Sequence, residues 1–189
     1  MDFRHIGLQG FDLSARIRPP TILWISYLLD GYAKKIDCET MNKQEWCEYG
    51  LKWEKFFVKH ITHLHGLHAI MNPDKDENPY APDLIVNGQL ADLKHQTTPF
   101  FTADNPQYTV TLNKKDRDRY ERLYPDIVIY FWVIWTTLEW YDIVVQPLSG
   151  VWRTTLKDIE FTDLHWYNER TKENAQSSYL LDLRSFEKL

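Results

Sequence analysis

Two aspartates and a lysine, Asp83, Asp92 and Lys94, lie on either side of an Asn87-Gly88 dipeptide. Asn-Gly between runs of strand-forming residues marks a two-residue hairpin, because a type I′ turn demands positive φ at both central positions. Counting outward from that loop pairs Val86 with Gln89, Ile85 with Leu90, Leu84 with Ala91, and Asp83 with Asp92. Directly opposed side chains stand about 4.5–5.5 Å apart on one face of the sheet. Lys94 and Gln96 share the face of Asp92, since side chains alternate along a strand. The open end of the hairpin therefore gathers opposed carboxylates and an ammonium. Opposed like charges destabilise a sheet unless something compensates them. Lys94 alone can do so on a surface hairpin. A hard divalent ion can do so too, because carboxylates, waters and a substrate phosphate are the usual ligands of Mg²⁺.

An upstream helix must lie close to this hairpin for a further acid to join it. Helical spacing over about 43–63 puts Trp46, Tyr49, Trp53, Phe57 and Leu64 on one apolar side and Glu48, Lys52, Lys55 and Lys59 on the other. Glu48 is then a solvated partner for Lys52. Glu54 projects with Gly50, Cys47, Val58 and Ile61 at the margin of the apolar side, where a charge needs a partner.

Pro82-Asp83, eight residues, then Asp92-Leu93-Lys94 resembles the motif of the PD-(D/E)XK nuclease superfamily, and Gly50 with Glu54 resembles the glycine and glutamate on the helix before its core sheet. The resemblance covers approximately 43–135. It implies an α/β fold with a central mixed β-sheet flanked by helices, the restriction-endonuclease-like αβββαβ core, with additions at both ends. It also implies a metal-dependent nuclease acting on nucleic acid, most commonly DNA, and sometimes working as a homodimer. On that likeness Asp83 and Asp92 hold Mg²⁺ or Mn²⁺, with the Leu93 carbonyl and Glu54 as further ligands, directly or through water. Lys94 positions the attacking water and counters charge on the phosphate, and a lysine among carboxylates is better suited to these roles than to acting as a base.

The remaining chain fills in that frame. A helix is expected over 21–35, a first core strand over 67–71, a polar loop over 72–78 and the hairpin strands over 83–86 and 89–96. A loop follows over 97–107. A third helix starts with Asn113 as N-cap and carries Lys114, Lys115, Arg117, Arg119 and Arg122. These basic residues are candidates for phosphate contact, although Asp116, Asp118 and Glu121 interleave with them and fit a salt-bridged surface helix equally well. The apolar run 126–135 reads as a central strand covered by helices on both sides, 139–147 as its neighbour and 152–159 as a short helix. Gln96 either touches substrate or bonds the next strand. His60 and His63 lie a helical turn apart, but no carboxylate or cysteine pattern completes a zinc set, and the four histidines over 60–68 read as lining a helix end and the turn at Gly66.

A chain of 189 residues suits one domain, 1–189 with its core at about 43–147, and aromatics at 15% with eight Trp argue against disorder. No apolar run reaches membrane-spanning length and the N-terminus lacks a signal-peptide pattern, so a cytoplasmic protein with no membrane partner is expected. Cys38 and Cys47 read as reduced. The net charge of −5 sits poorly with a phosphate-binding surface, and it favours a rival reading: an inactive nuclease-fold binding or inhibitory protein with a Trp-rich interaction surface.

Overall fold

Val128–Trp135 is an eight-residue strand without a charged side chain, so both of its faces need apolar cover, and it lies inside a six-stranded sheet. The computed structural model describes residues 43–165 and 177–189. The chain divides into Met1–Asp37 and Cys38–Leu189, and all described residues belong to the second unit. The expected helix over 21–35 lies outside them, as does Cys38.

In chain order the elements are α1 (Lys43–Phe56), β1 (Ala69–Met71), β2 (Leu84–Val86), β3 (Gln89–Gln96), β4 (Thr109–Asn113), α2 (Lys114–Leu123), β5 (Val128–Trp135), β6 (Leu138–Trp140), β7 (Ile143–Val145), β8 (Leu148–Thr155), β9 (Leu164–His165), β10 (Ser178–Asp182) and β11 (Glu187–Lys188). The main sheet runs β1-β2-β3-β5-β8-β11. It is mixed: β3 and β5 are parallel, whereas every other neighbouring pair is antiparallel. The parallel step requires a crossover, and β4 with α2 supplies it. β4 pairs with β10, and β10 with β9, in a separate three-stranded sheet.

Alternation along β5 divides the core. Tyr130 and Trp132 face α1 and its continuation: Phe56 stacks on Trp132 at 5.9 Å between ring centres, Trp53 meets it edge-on at 5.6 Å, and Phe57 lies 5.7 Å away. Ile129, Phe131, Val133 and Trp135 point to the other face, into a cluster with Tyr120 of α2, Val110 and Leu112 of β4, and Leu181 of β10. The central strand is thus covered on both faces, with a helix on each. Among the described residues no helix is long and apolar enough to cross a membrane.

Four local expectations need correction. The helical path does extend beyond 63, but it is α only to Phe56; it widens to π over Phe57–Ile61, tightens to 3₁₀ over Thr62–His65 and stops at Gly66 with φ of 65°. Thr62 donates its hydroxyl to the Val58 carbonyl at 2.8 Å, inside that distorted turn. The changed phase buries Phe57 and Ile61 together but leaves Leu64 55% exposed, off the apolar side where it was expected. The segment 139–147 is no neighbour of β5: β6 and β7 make their own hairpin. The neighbour is β8, and of the helix expected over 152–159 only Leu156–Asp158 form a 3₁₀ turn; Trp152 to Thr155 are strand, because all eight residues of β8 pair with β5. Asn113 precedes α2 without capping it with its side chain, which instead accepts from the Ser178 hydroxyl at 2.8 Å.

Candidate active site

The hairpin forms where Asn87 and Gly88 place it, with φ of 49° and 80°, and the pairs Leu84–Ala91, Ile85–Leu90 and Val86–Gln89 follow the expected register. The loop is tied down as well as turned. The Asn87 side chain accepts from the His68 amide at 2.9 Å, and the Asn87 amide donates to the His68 carbonyl at 2.7 Å. Regular pairing ends at Leu84, so Asp83 stands just before β2 and its side chain reaches across, accepting from the Leu93 amide at 3.3 Å.

Asp92 lies one residue before Leu93 and is 1% exposed. Its Oδ1 accepts from the Tyr120 hydroxyl at 2.6 Å, and its Oδ2 lies 2.7 Å from Lys94 Nζ. Lys94 pairs ionically with that oxygen and donates a hydrogen bond to Asp116 at 2.8 Å. Asp116 accepts from Arg119 at 2.9 Å, and Arg119 donates to the Tyr120 oxygen at 3.1 Å. The chain Asp92, Lys94, Asp116, Arg119, Tyr120 therefore closes on itself, three of its members coming from α2. Burial pushes the Asp92 carboxyl up to about 6; Lys94 opposes that shift and the nearby Asp83 carboxylate adds to it. Burial disfavours the Lys94 ammonium, yet Asp92, Tyr120 and Asp116 outweigh it and hold the group well above its usual range. Lys94 is thus a fixed positive charge, unsuited to taking up a proton. Burial and Asp92 together hold the Tyr120 phenol protonated, so it serves as a lasting donor.

Glu54 reaches the same region from α1. Its oxygens accept from Lys75 Nζ at 3.0 and 3.1 Å, and the same ammonium donates to Asp83 Oδ1. The expected polar loop over 72–78 contains a 3₁₀ turn, Pro73–Asp76, that carries Lys75. Buried Asn72 fastens it: its Oδ1 accepts from the Asp74 amide at 3.2 Å, its Nδ2 donates to the Pro82 carbonyl at 2.9 Å, and its own amide donates to the Asp83 carbonyl at 3.0 Å. Burial works against charge on Lys75, but Asp83 and Glu54 raise its pKa all the same.

Among the described residues no three His, Cys, Asp or Glu side chains converge as a ready-made metal cluster. The donor set nonetheless fits a hard cation, because Glu54 and Asp83, from different elements, already embrace a single positive charge and Asp92 lies beside Asp83.

A cavity of about 590 Å³ opens beside this network, lined by Tyr49, Gly50, Trp53, Glu54, Lys94 and Gln96, with other polar residues of β3 and β4. His95 also lines it. Its Nδ1 lies 3.1 Å from the Trp132 carbonyl, which requires the proton there, and burial pushes its pKa down to about 4. The ring is neutral and packs 4.6 Å from Trp53 and 4.3 Å from Trp132.

Several expected contacts are already made within the chain. Gln96 donates to the Thr111 carbonyl at 2.9 Å, the cross-strand alternative to touching substrate. Glu48 lies exposed on the outer face of α1 and accepts from Gln44 at 3.0 Å. On α2, Lys114 pairs with Asp118, Arg117 with Asp118 and Glu121 at 3.1 and 2.8 Å, and Arg119 belongs to the ring around Asp92. Of the five basic candidates on α2, Lys115 and Arg122 are exposed and form no ion pair among the described residues. Sequence reasoning missed Lys75, Asp116 and Tyr120. Tyr120 did leave a trace: it is the one aromatic residue in KKDRDRYERL, which marks the buried side of that helix.

No protein-family model matches the chain, and comparison with curated proteins and with solved structures gives no match either.

Proposed function

We propose that this chain is a metal-dependent nuclease of the PD-(D/E)XK type, with a restriction-endonuclease-like core, hydrolysing phosphodiester bonds in nucleic acid and most readily in DNA. One observation carries the reading. Glu54 of α1 and Asp83 at the mouth of the hairpin share one ammonium, Asp92 and Lys94 of β3 pair next to them, and Glu54 and Lys94 line an open cavity, although up to 40 residues separate them in sequence.

Asp83, Asp92 and Glu54 would hold Mg²⁺ or Mn²⁺, with the Leu93 carbonyl completing the protein's share. When bound, such an ion polarises a phosphate and acidifies a water. The chain's own residues do the positioning. Tyr120 fixes the rotation of the Asp92 carboxylate by donating to one oxygen and leaving the other toward Lys94. Asp116 keeps the Lys94 ammonium in place, where its permanent charge can orient water and offset negative charge growing on the phosphate. The cavity walls of Tyr49, Trp53 and Gln96 give the nucleotide beside the scissile bond a partly apolar seat.

The test is cleavage of plasmid and oligonucleotide substrates with Mg²⁺ or Mn²⁺, beside EDTA, Asp83→Ala and Lys94→Ala, each variant checked by circular dichroism. Loss of cutting in all three controls is the expected result. A folded Lys94→Ala that cuts at the wild-type rate overturns the assignment. The inactive binding protein is favoured by the internal pairing of the α2 charges, and its mark would be nucleic-acid or protein binding with no cleavage under any divalent ion.

A further inference from the structure

We infer that Lys75 is an internal cation that holds the place of the divalent ion between Glu54 and Asp83, and that it must withdraw before an ion can bind. The inference rests on the proposed metal site and adds a residue that neither the motif nor the spacing of acids suggests. Lys75 Nζ contacts three oxygens of two carboxylates, both Glu54 oxygens and Asp83 Oδ1, from α1 and from the start of β2. The Glu54 and Asp83 side chains are 13% and 14% exposed, so they gain by sharing a counter-charge rather than facing each other unpaired. A hard divalent ion asks for the same oxygens at shorter range, about 2.0–2.1 Å for Mg²⁺. An ammonium and such an ion cannot occupy that gap together, both for want of room and because like charges repel.

Lys75, and not Lys94, is the cation that can leave. Lys94 is fastened on two sides, by Asp92 and Asp116, inside the ring closed by α2. Lys75 is carried on a turn whose other residues, Pro73, Asp74 and Asp76, are exposed, as are 77–80 beyond it. Buried Asn72 and Ala81 anchor the two ends of that segment, and the flexible four-carbon stem of a lysine can swing out to water between them. Ion affinity is then set by competition: every ion that enters must displace the resident ammonium, and affinity is lower than the three carboxylates alone would give.

The experiment is Mn²⁺ titration by isothermal calorimetry, without nucleic acid, on the wild type, Lys75→Met, Asp83→Ala and the double variant. Lys75→Met should bind Mn²⁺ at least tenfold more tightly than the wild type, and the gain should vanish with Asp83→Ala. In parallel, mass spectrometry of the wild type after brief treatment with an amine-reactive reagent should show Lys75 labelled several-fold faster in saturating Mn²⁺ than in EDTA. This second measurement decides the matter should Lys75→Met fail to fold. Binding by Lys75→Met alone also supports the inference. If the wild type binds Mn²⁺ through Asp83 but Lys75→Met binds it no better and labelling is unchanged, the role of Lys75 is overturned while the metal site stands. If no variant binds Mn²⁺ and labelling does not respond, both fail.

Discussion

Replacing Asp92 with asparagine should stabilise the metal-free protein, and by an amount that depends on pH. The carboxyl of Asp92 is buried beside Asp83, and its pKa rises from 3.8 to about 6. Between those values the folded chain keeps a proton that the unfolded chain has released, so this group's contribution to stability falls as pH rises through that window. A lift of that size corresponds to about 3 kcal/mol lost once both states are ionised. Asparagine has the shape of the protonated acid and never ionises. The two proteins should therefore be equally stable near pH 4, diverge between pH 4 and about 6.5, and differ at pH 8 by up to about 3 kcal/mol, or about 6–12 °C in Tm for a domain of this size. The amide can offer its single oxygen to Tyr120 or to Lys94 but not to both, which makes the figure a ceiling. Urea unfolding in EDTA at half-unit pH steps measures the difference curve, in which titrating groups remote from Asp92 cancel. Parallel curves for the two proteins would refute the reasoning, because they would mean that Asp92 ionises in the fold as freely as in water.

Three further outcomes are expected. Tyr120→Phe removes a 2.6 Å donor from a buried carboxylate and should cost about 1.5–3 kcal/mol at pH 8; urea unfolding should show a smaller loss below pH 5, where Asp92 carries its own proton. Trp132→Ala empties the centre of the ring cluster formed by Trp53, Phe56, Phe57 and His95, and its unfolding midpoint should correspond to a loss of about 3–5 kcal/mol, whereas under 1 kcal/mol would contradict the packing described. Glu48→Ala lies on the exposed face of α1 and should change stability by no more than about 0.5 kcal/mol and leave cleavage intact. A folded but inactive Glu48→Ala would move the helical acid from Glu54 to Glu48.

The hairpin and the central strand were legible from local sequence. Asn87-Gly88 leaves its turn little choice, and two-residue periodicity then forces the register and the shared face of Asp92, Lys94 and Gln96. The run from 128 to 135 has no polar face to turn outward, so its central place follows from composition. Most errors fall where pairing is distant; the exception is the change from α to π and 3₁₀ after Phe56, which turned Leu64 off the apolar side. The β8 segment has helical spacing as well as strand character, and its eight pairs with β5 settle the matter; β6 and β7 intervene as an excursion that leaves no mark on periodicity. The side chain of Asn113 suits a cap, but Ser178, 65 residues later, takes its oxygen.

The same division runs through the candidate site. The sequence by itself determined which residues face one another within the hairpin, and that Glu54 leans away from the lysine stripe of α1, because both follow from short-range geometry. Only the tertiary structure decided how the charges are met: Lys75 between Glu54 and Asp83, Tyr120 and Lys94 on Asp92, Asp116 behind Lys94. Coulomb attraction and desolvation depend on separation and burial, and for residues brought together from different elements both are set by packing, which no spacing along the chain records.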